Sequence, residues 1–315
     1  MNACSGVFKV EIYFAVLQVI VNYIGRDKVN LYLAESGGVW NAYFKEKQMD
    51  IYLAGKETRG QQLEMCESEC LSIKQDLFRG VRSGIDGGLF TRSNILQSFY
   101  YCNDFTEQVI IPQAKRFMLD SGAFTFFSAG GAVDWNDYII RYADFINRNK
   151  VDLYFELDID KLIGYEKVLY YRAKLEDMTG KPCIPVWHKS RGQDEFIKMC
   201  EQYKYVALGG IVSKEITQKE YRFFPWFINK AHESGAKIHG LGFTNLQGLT
   251  KYHFDSVDST AWVSGNRFGS VYQFTGKTMI KHDKKEGQRL ANSKEVALHN
   301  FKEWAKFADY AEKYL

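Results

Sequence analysis

Tyr205-Val-Ala-Leu-Gly-Gly210, the helical run from Lys219 to Glu233, and Lys237-Ile-His-Gly-Leu-Gly242 decide the fold class. A short β-rich run, an amphipathic stretch closed by Gly235 and a second short β-rich run form the pattern of two parallel strands joined by a helical crossover. The rhythm continues outward in both directions. Ile51 to Gly55, Ile95 to Tyr101, Phe117 to Leu119, Leu153 to Leu157, Cys183 to Trp187 and Ser256-Val257 read as further strands. Between them lie helical stretches near Tyr165 to Met178 and Asp194 to Tyr203. The clearest helix begins at Asp134, an N-cap residue followed by Trp135, Tyr138, Ile139, Tyr142, Ala143, Phe145 and Ile146 at helical spacing.

Eight candidate strands with helical crossovers predict a (β/α)8 TIM-type barrel over residues 50–275, and a doubly wound sheet shares the same local pattern. Residues 1–49 read as an N-terminal extension packed on the barrel. Within it Leu31-Tyr-Leu-Ala-Glu35 echoes Ile51-Tyr-Leu-Ala-Gly55, as two paired strands or as two common strand sequences. Residues 276–315 read as a basic loop, with Lys277, Lys281, Lys284, Lys285 and Arg289, followed by a C-terminal helix from Ser293.

The 315 residues are 46% hydrophobic and 25% charged with four prolines, a composition able to bury a large core. A net charge of +3 is compatible with a polyanionic partner without demanding one. The apolar stretch Val7 to Ile24 is interrupted by Lys9, Glu11, Gln18 and Asn22, which argues for a buried element and against a membrane span. Six scattered cysteines without a cleavable leader imply reduced thiols and a cytoplasmic protein. Cys66 and Cys70 sit one helical turn apart but lack the two further ligands that structural zinc needs, so no metal is expected.

Polar residues cluster where the predicted strands end: Asp120-Ser-Gly-Ala-Phe124, Asp158-Ile-Asp160, Trp187-His188-Lys189, Gly209-Gly210, His239-Gly-Leu-Gly242 and Asp255-Ser-Val-Asp258-Ser-Thr260. Singly, each has an ordinary explanation as a helix cap, a tight turn or a core hydrogen bond. Together they lie at the edge where barrel enzymes hold their chemistry. Glycines there expose backbone groups to a flat ligand, and carboxylates accept from ring N–H and amino donors, so a purine or deazapurine base is a natural occupant. No Walker loop, HExxH, GxSxG or GxGxxG unit is present.

These residues resemble the tRNA-guanine transglycosylase superfamily, and within it the phage and bacterial paralogues that insert deazaguanines into DNA. The similarity runs from about Asp50 to Phe274, with Leu119-Asp-Ser-Gly-Ala-Phe124 as its best marker. The resemblance implies that Asp120 binds the base or moves a proton, that Phe124 packs on the base, and that Asp158, with Asp160 beside it, reads the base. It further implies that His188 contacts the base where the family has glutamine, that Gly209 and Gly210 receive its exocyclic oxygen, and that Leu241 covers the ring. Phe254-Asp-Ser-Val257 is similar to the family's nucleophile segment and points to Asp255. Position at a strand's C-terminal end points instead to Asp258, so both stand as candidates. The family's zinc-binding Cys-x-Cys-x2-Cys has no counterpart, since no cysteine occurs beyond Cys200. That absence favours DNA over tRNA.

The expectation is a pentosyltransferase that exchanges guanine in DNA for a 7-deazaguanine through a covalent Asp–glycosyl intermediate, with no cofactor. Lys189, Arg191, Arg267, Lys281, Lys284 and Lys285 are the candidate phosphate contacts. RNA as acceptor, a barrel lyase or isomerase acting on a small metabolite, and a non-catalytic nucleic-acid-binding subunit are the alternatives.

Overall fold

A computed structural model describes residues 30–34, 94–104, 106–122, 125–126, 133–243, 245–263, 268–285, 287 and 293–315. Its centre is an eight-stranded sheet in the order β4-β3-β2-β1-β8-β7-β6-β5. The strands are β1 (Asn30–Ala34), β2 (Asn94–Ser98), β3 (Arg116–Asp120), β4 (Leu153–Tyr154), β5 (Val186–Trp187), β6 (Tyr205–Leu208), β7 (Lys237–Gly240) and β8 (Ser256–Ser259). Every pairing is parallel. The C-terminal ends of all the strands therefore face one way, and the segments that follow them converge on one edge. The two strands at the ends of the order also meet. Ile184 donates to the Tyr154 carbonyl at 2.8 Å, Glu156 donates to the Ile184 carbonyl at 3.1 Å, and a parallel bridge joins Phe155 to Ile184.

Helical crossovers cover the sheet: α1 (Trp135–Asn149), α2 (Tyr165–Thr179), α3 (Gly192–Gln202) and α4 (Phe224–Glu233). Helix α1 forms as its spacing predicts. The Asp134 side chain accepts from the Asn136 and Asp137 N–H groups, and Tyr138, Ile139, Tyr142, Ala143, Phe145 and Ile146 make its buried stripe. Two of its tyrosines tie the helix to the sheet edge. The Tyr142 hydroxyl lies 3.2 Å from the Leu119 carbonyl and 3.0 Å from the Phe155 carbonyl, and the Tyr138 hydroxyl donates to the Ser121 carbonyl at 2.7 Å. These bonds flank Asp120 on both sides, so the helix fixes the turn that carries it.

Strand residues alternate between two environments. Val206, Leu208, Ile238 and Val257 join the large cluster under α3 and α4. Their neighbours Leu96, Met118, Phe155, Ile184, Val186 and Ala207 form a small separate cluster from strands across the whole sheet. The Phe155 and His239 rings pack 5.3 Å apart, although β4 and β7 are separated by four strands in the sheet order.

Several boundaries differ from the sequence expectation. Asn30–Ala34, within the expected N-terminal extension, is a strand of the sheet between β2 and β8. Ile51 to Gly55, the expected first strand, lies outside the described residues, as do Val7 to Ile24 and the Cys66–Cys70 pair. The run from Lys219 to Glu233 is split into a 3-10 turn, Gln218–Phe223, and α4. Pro225, in the first turn of α4, has no N–H to continue a preceding helix. Strand β5 is shorter than Cys183 to Trp187 because Pro185 cannot donate to the ladder. The end of the expected barrel span and the start of the expected basic loop form an antiparallel hairpin, β9 (Ser270–Phe274) with β10 (Met279–Asp283), against which α5 (Ser293–Tyr314) packs: Asn300 Oδ1 accepts from the Tyr272 N–H and the Tyr272 and Trp304 rings meet. Among the described residues no helix is long and apolar enough to cross a membrane.

Candidate active site

Three carboxylates meet at the C-terminal edge: Asp120 at the end of β3, Asp158 four residues past β4, and Asp258 near the end of β8. Burial pushes the Asp120 carboxyl from its ordinary 3.8 up to about 7. The Gly122 N–H, 3.0 Å from Asp120 Oδ2, opposes that rise, and the charges of Asp158 and Asp258 add to it. Asp120 is thus poised between its acid and base forms near neutral pH.

Asp258 is buried, and its Oδ1 accepts from the Gly242 N–H and lies 3.2 Å from His239 Nε2. The opposite ring nitrogen of His239 lies 2.5 Å from the Ser256 hydroxyl, which in turn bonds the Tyr205 hydroxyl. Tyr205, His239 and Ser256 come from three adjacent strands, so a polar relay crosses β6, β7 and β8 and fixes the Asp258 carboxylate. Gly242 adopts φ +71°, and a Cβ there would lie 2.2 Å from a Val212 methyl. Only glycine delivers that N–H to Asp258.

Asp158 is held by His188, whose Nε2 lies 2.6 Å from Asp158 Oδ1 and whose Nδ1 lies 3.3 Å from Glu215 Oε2. Burial disfavours the imidazolium, but the hydrogen bond and charge of Asp158, with the charge of Asp160, outweigh it and raise the His188 pKa. Both ring nitrogens are therefore engaged by carboxylates. His188 thus bridges Asp158 and Glu215, a contact that the sequence resemblance did not specify. A Cβ on Gly209 would come within 2.9 Å of the His188 ring, so glycine at that position lets the imidazole sit against the chain.

Behind this layer is a buried ionic group. Glu156, fully buried, bonds Arg172 Nε at 2.6 Å and Arg191 Nη1 at 2.9 Å, and it accepts from the Val186 N–H at 2.7 Å. Arg191 Nε reaches Asp160 at 3.3 Å, so Asp160 is turned toward Arg191. Asp158, Asp160 and His188 present ligand atoms within 4.8 Å of one another. Two carboxylates and an imidazole at that spacing are a donor set that one divalent cation could share.

The two nucleophile candidates separate cleanly. Asp255 precedes β8, accepts from the Ile238 N–H at 2.8 Å and pairs with His232 of α4 at 2.9 Å. It therefore stands at the N-terminal edge of the sheet, where it joins α4 to the strand ends, whereas Asp258 stands at the opposite edge. Leu241 follows β7 and packs against the small cluster. Phe124 and Arg267 lie outside the described residues. Lys189 and Arg191 stand beside Asp160, while Lys281 pairs with Asp283 of its own strand, and Lys284 and Lys285 follow that exposed strand of the distant-sequence hairpin. Sequence reasoning placed His239 in a strand-end cluster without giving it a role, and missed Glu156, Arg172 and Glu215 as members of the site. Nothing local marked Glu215.

No protein-family model matches the chain, and no curated protein sequence matches it. Among solved structures, the chain has a likeness to an HpcH/HpaI aldolase from Desulfitobacterium hafniense DCB-2 at 10% identity and a TM-score of 0.29, covering 77% of this chain and 89% of that one. A likeness at that level assigns neither a shared fold nor a shared chemistry.

Proposed function

We propose that the protein is a base-exchange transglycosylase, built on a closed (β/α)8 barrel, that replaces guanine in DNA with a 7-deazaguanine. The convergence of Asp120, Asp158 and Asp258 from three strands distant in sequence is the observation that carries this reading. Closure of the barrel is supported by the Phe155–Ile184 bridge between the end strands and by the Phe155–His239 contact across the sheet.

In this reading the Asp258 carboxylate attacks C1′ of an everted guanosine nucleotide. The C1′–N9 bond breaks, and the departing guanine takes a proton from neutral Asp120. The incoming deazaguanine returns a proton from its N9 to Asp120, attacks C1′ and frees Asp258, so configuration is retained by double displacement. Asp158, held by His188, accepts from the N–H donors of the base edge. The Tyr205–Ser256–His239 relay and the Gly242 N–H keep Asp258 aimed at C1′.

The test is mass spectrometry of nucleosides from DNA and from tRNA, each incubated with the protein and 7-cyano-7-deazaguanine. The deazaguanine nucleoside is expected in the DNA digest. Its appearance only in the tRNA digest would reassign the acceptor, and its absence from both would reject base exchange.

A further inference from the structure

A concavity of about 830 Å³ opens beside the carboxylates, between the segments that follow β4, β5 and β6. Lys161, Lys189, Arg191 and Lys214 line it, with Ser190 and Ser213 between them. Of its lining residues only Asp160 and Glu215 are acidic, and each already faces a cation: Arg191 at 3.3 Å for the first, Lys161 at 3.2 Å for the second.

Arg191 is what makes this more than a basic surface. Its side chain is 1% exposed and lies over the Tyr165 ring at 4.3 Å. Nη1 and Nε are occupied by Glu156 and Asp160, but Nη2, equally buried, has no hydrogen-bond partner. A buried guanidinium N–H without an acceptor costs free energy that an anionic oxygen would recover. Lys214 adds a second anomaly, with φ +60° in the left-handed region, where a lysine is held at some cost in strain. Lys161 pairs with Glu215 and Lys189 with Glu220, and because their side chains are 47% and 55% exposed each ammonium can exchange that partner for a ligand with little desolvation.

We propose that this concavity binds a phosphate group. Resting on the base-exchange reading, the phosphate is one that flanks the everted nucleotide. Glu215 joins the two places, because it forms part of the concavity wall and lies 3.3 Å from the imidazole that holds Asp158. A base read by Asp158 and a phosphate held by Arg191 would then belong to one strand. An internal phosphodiester and a terminal phosphate monoester share this chemistry, and the probes below distinguish them.

Calorimetric titrations of the full chain with deoxyguanosine, 2′-deoxyguanosine 5′-monophosphate, inorganic phosphate and a single-stranded oligodeoxynucleotide containing one guanine test the proposal. Wild type is compared with Lys161→Ala, Lys214→Ala and Arg191→Lys. The first two change exposed or turn side chains, so a folding defect in Arg191→Lys leaves the test intact. The expected result is binding of the oligonucleotide or the monophosphate about tenfold tighter than deoxyguanosine. That preference should shrink roughly three- to tenfold in Lys214→Ala and Lys161→Ala, with deoxyguanosine affinity unchanged. A gain by the oligonucleotide alone identifies an internal phosphodiester, and an equal gain by the monophosphate identifies a terminal one. No phosphate preference, or a preference indifferent to all three substitutions, overturns the proposal. If inorganic phosphate binds and responds to Lys214→Ala while deoxyguanosine does not bind, the phosphate site stands and the base-exchange reading falls.

Discussion

Asp255, just before β8, and Asp258, within it, are three residues apart and stand in different surroundings because a parallel sheet has two unlike edges. At the N-terminal edge Asp255 is closed in by the Ile238 N–H and by His232 of α4, so its carboxylate is spent on holding a helix to strand ends. At the C-terminal edge Asp258 is aimed by a backbone N–H and an imidazole into a space shared with two other carboxylates. Like charges gathered in one place raise free energy in the absence of a ligand, so a fold keeps such a group where a ligand repays it. Asp255 is partnered by a backbone N–H and an imidazole, whereas burial and two neighbouring carboxylates raise the pKa of Asp120.

That contrast is sharpest when one residue is changed at each edge. Asp258→Asn keeps the shape of the side chain but removes the nucleophile, and base exchange measured by nucleoside mass spectrometry should fall by more than about 10³-fold. Asp255→Asn should keep exchange within a few-fold of wild type. It should lower stability by about 1–3 kcal/mol in denaturant melts, through loss of the pair with His232 and weakening of the bond from Ile238.

The protonation of Asp120 gives the next largest effect. Asp120→Asn should lower exchange about 10²- to 10⁴-fold. In wild type the guanine-release step should weaken as pH rises through about 7, where Asp120 loses its proton, and that inflection should be missing from the variant. The same substitution should stabilise the fold. Because the pKa is raised in the folded state, from 3.8 to about 7, the folded protein holds a proton that the unfolded chain releases between those values. Stability therefore declines as pH rises across that window, and Asp120→Asn removes the decline. Thermal melts should show the variant more stable than wild type at pH 8 and by much less at pH 5. A variant that is destabilised at pH 8 would remove Asp120 from the carboxylate cluster.

His239→Gln tests the relay behind Asp258. As a positioning residue, His239 should affect kcat, by on the order of 10²-fold, far more than KM for the DNA strand. An equal loss of stability and affinity with unchanged kcat would mean that the relay serves only the core.

Much of this was legible in the sequence, for local reasons. Helix α1 was readable because its cap, Asp134, and its apolar stripe agree with each other. Strands β6 and β7 were readable because each is a short run that ends on or just before a glycine, with a helical crossover between them. Asp120, Asp158, Asp258 and His188 could be singled out in the sequence because each stands at or just past the end of a predicted strand. What escaped depended on partners remote in the chain. Asp255 and Asp258 look alike in sequence, and only the bond from Ile238 and the pair with His232 reveal which edge each occupies. Glu215 lies in a turn with no pattern, and its role comes from His188, 27 residues earlier. Asn30–Ala34 was passed over for its near-repeat at Ile51, because two similar strand sequences carry no record of which one finds a place between β2 and β8.

The most direct test is to trap the glycosyl intermediate. The protein is incubated with a guanine-containing single-stranded oligodeoxynucleotide, denatured, and analysed by gel shift and by peptide mass spectrometry for wild type, Asp258→Asn and Asp255→Asn. The account predicts a covalent adduct in wild type and in Asp255→Asn, carried on the peptide containing Asp258, and none in Asp258→Asn. An adduct that persists in Asp258→Asn and vanishes in Asp255→Asn would contradict the assignment of the two edges, and with it the catalytic site built on them.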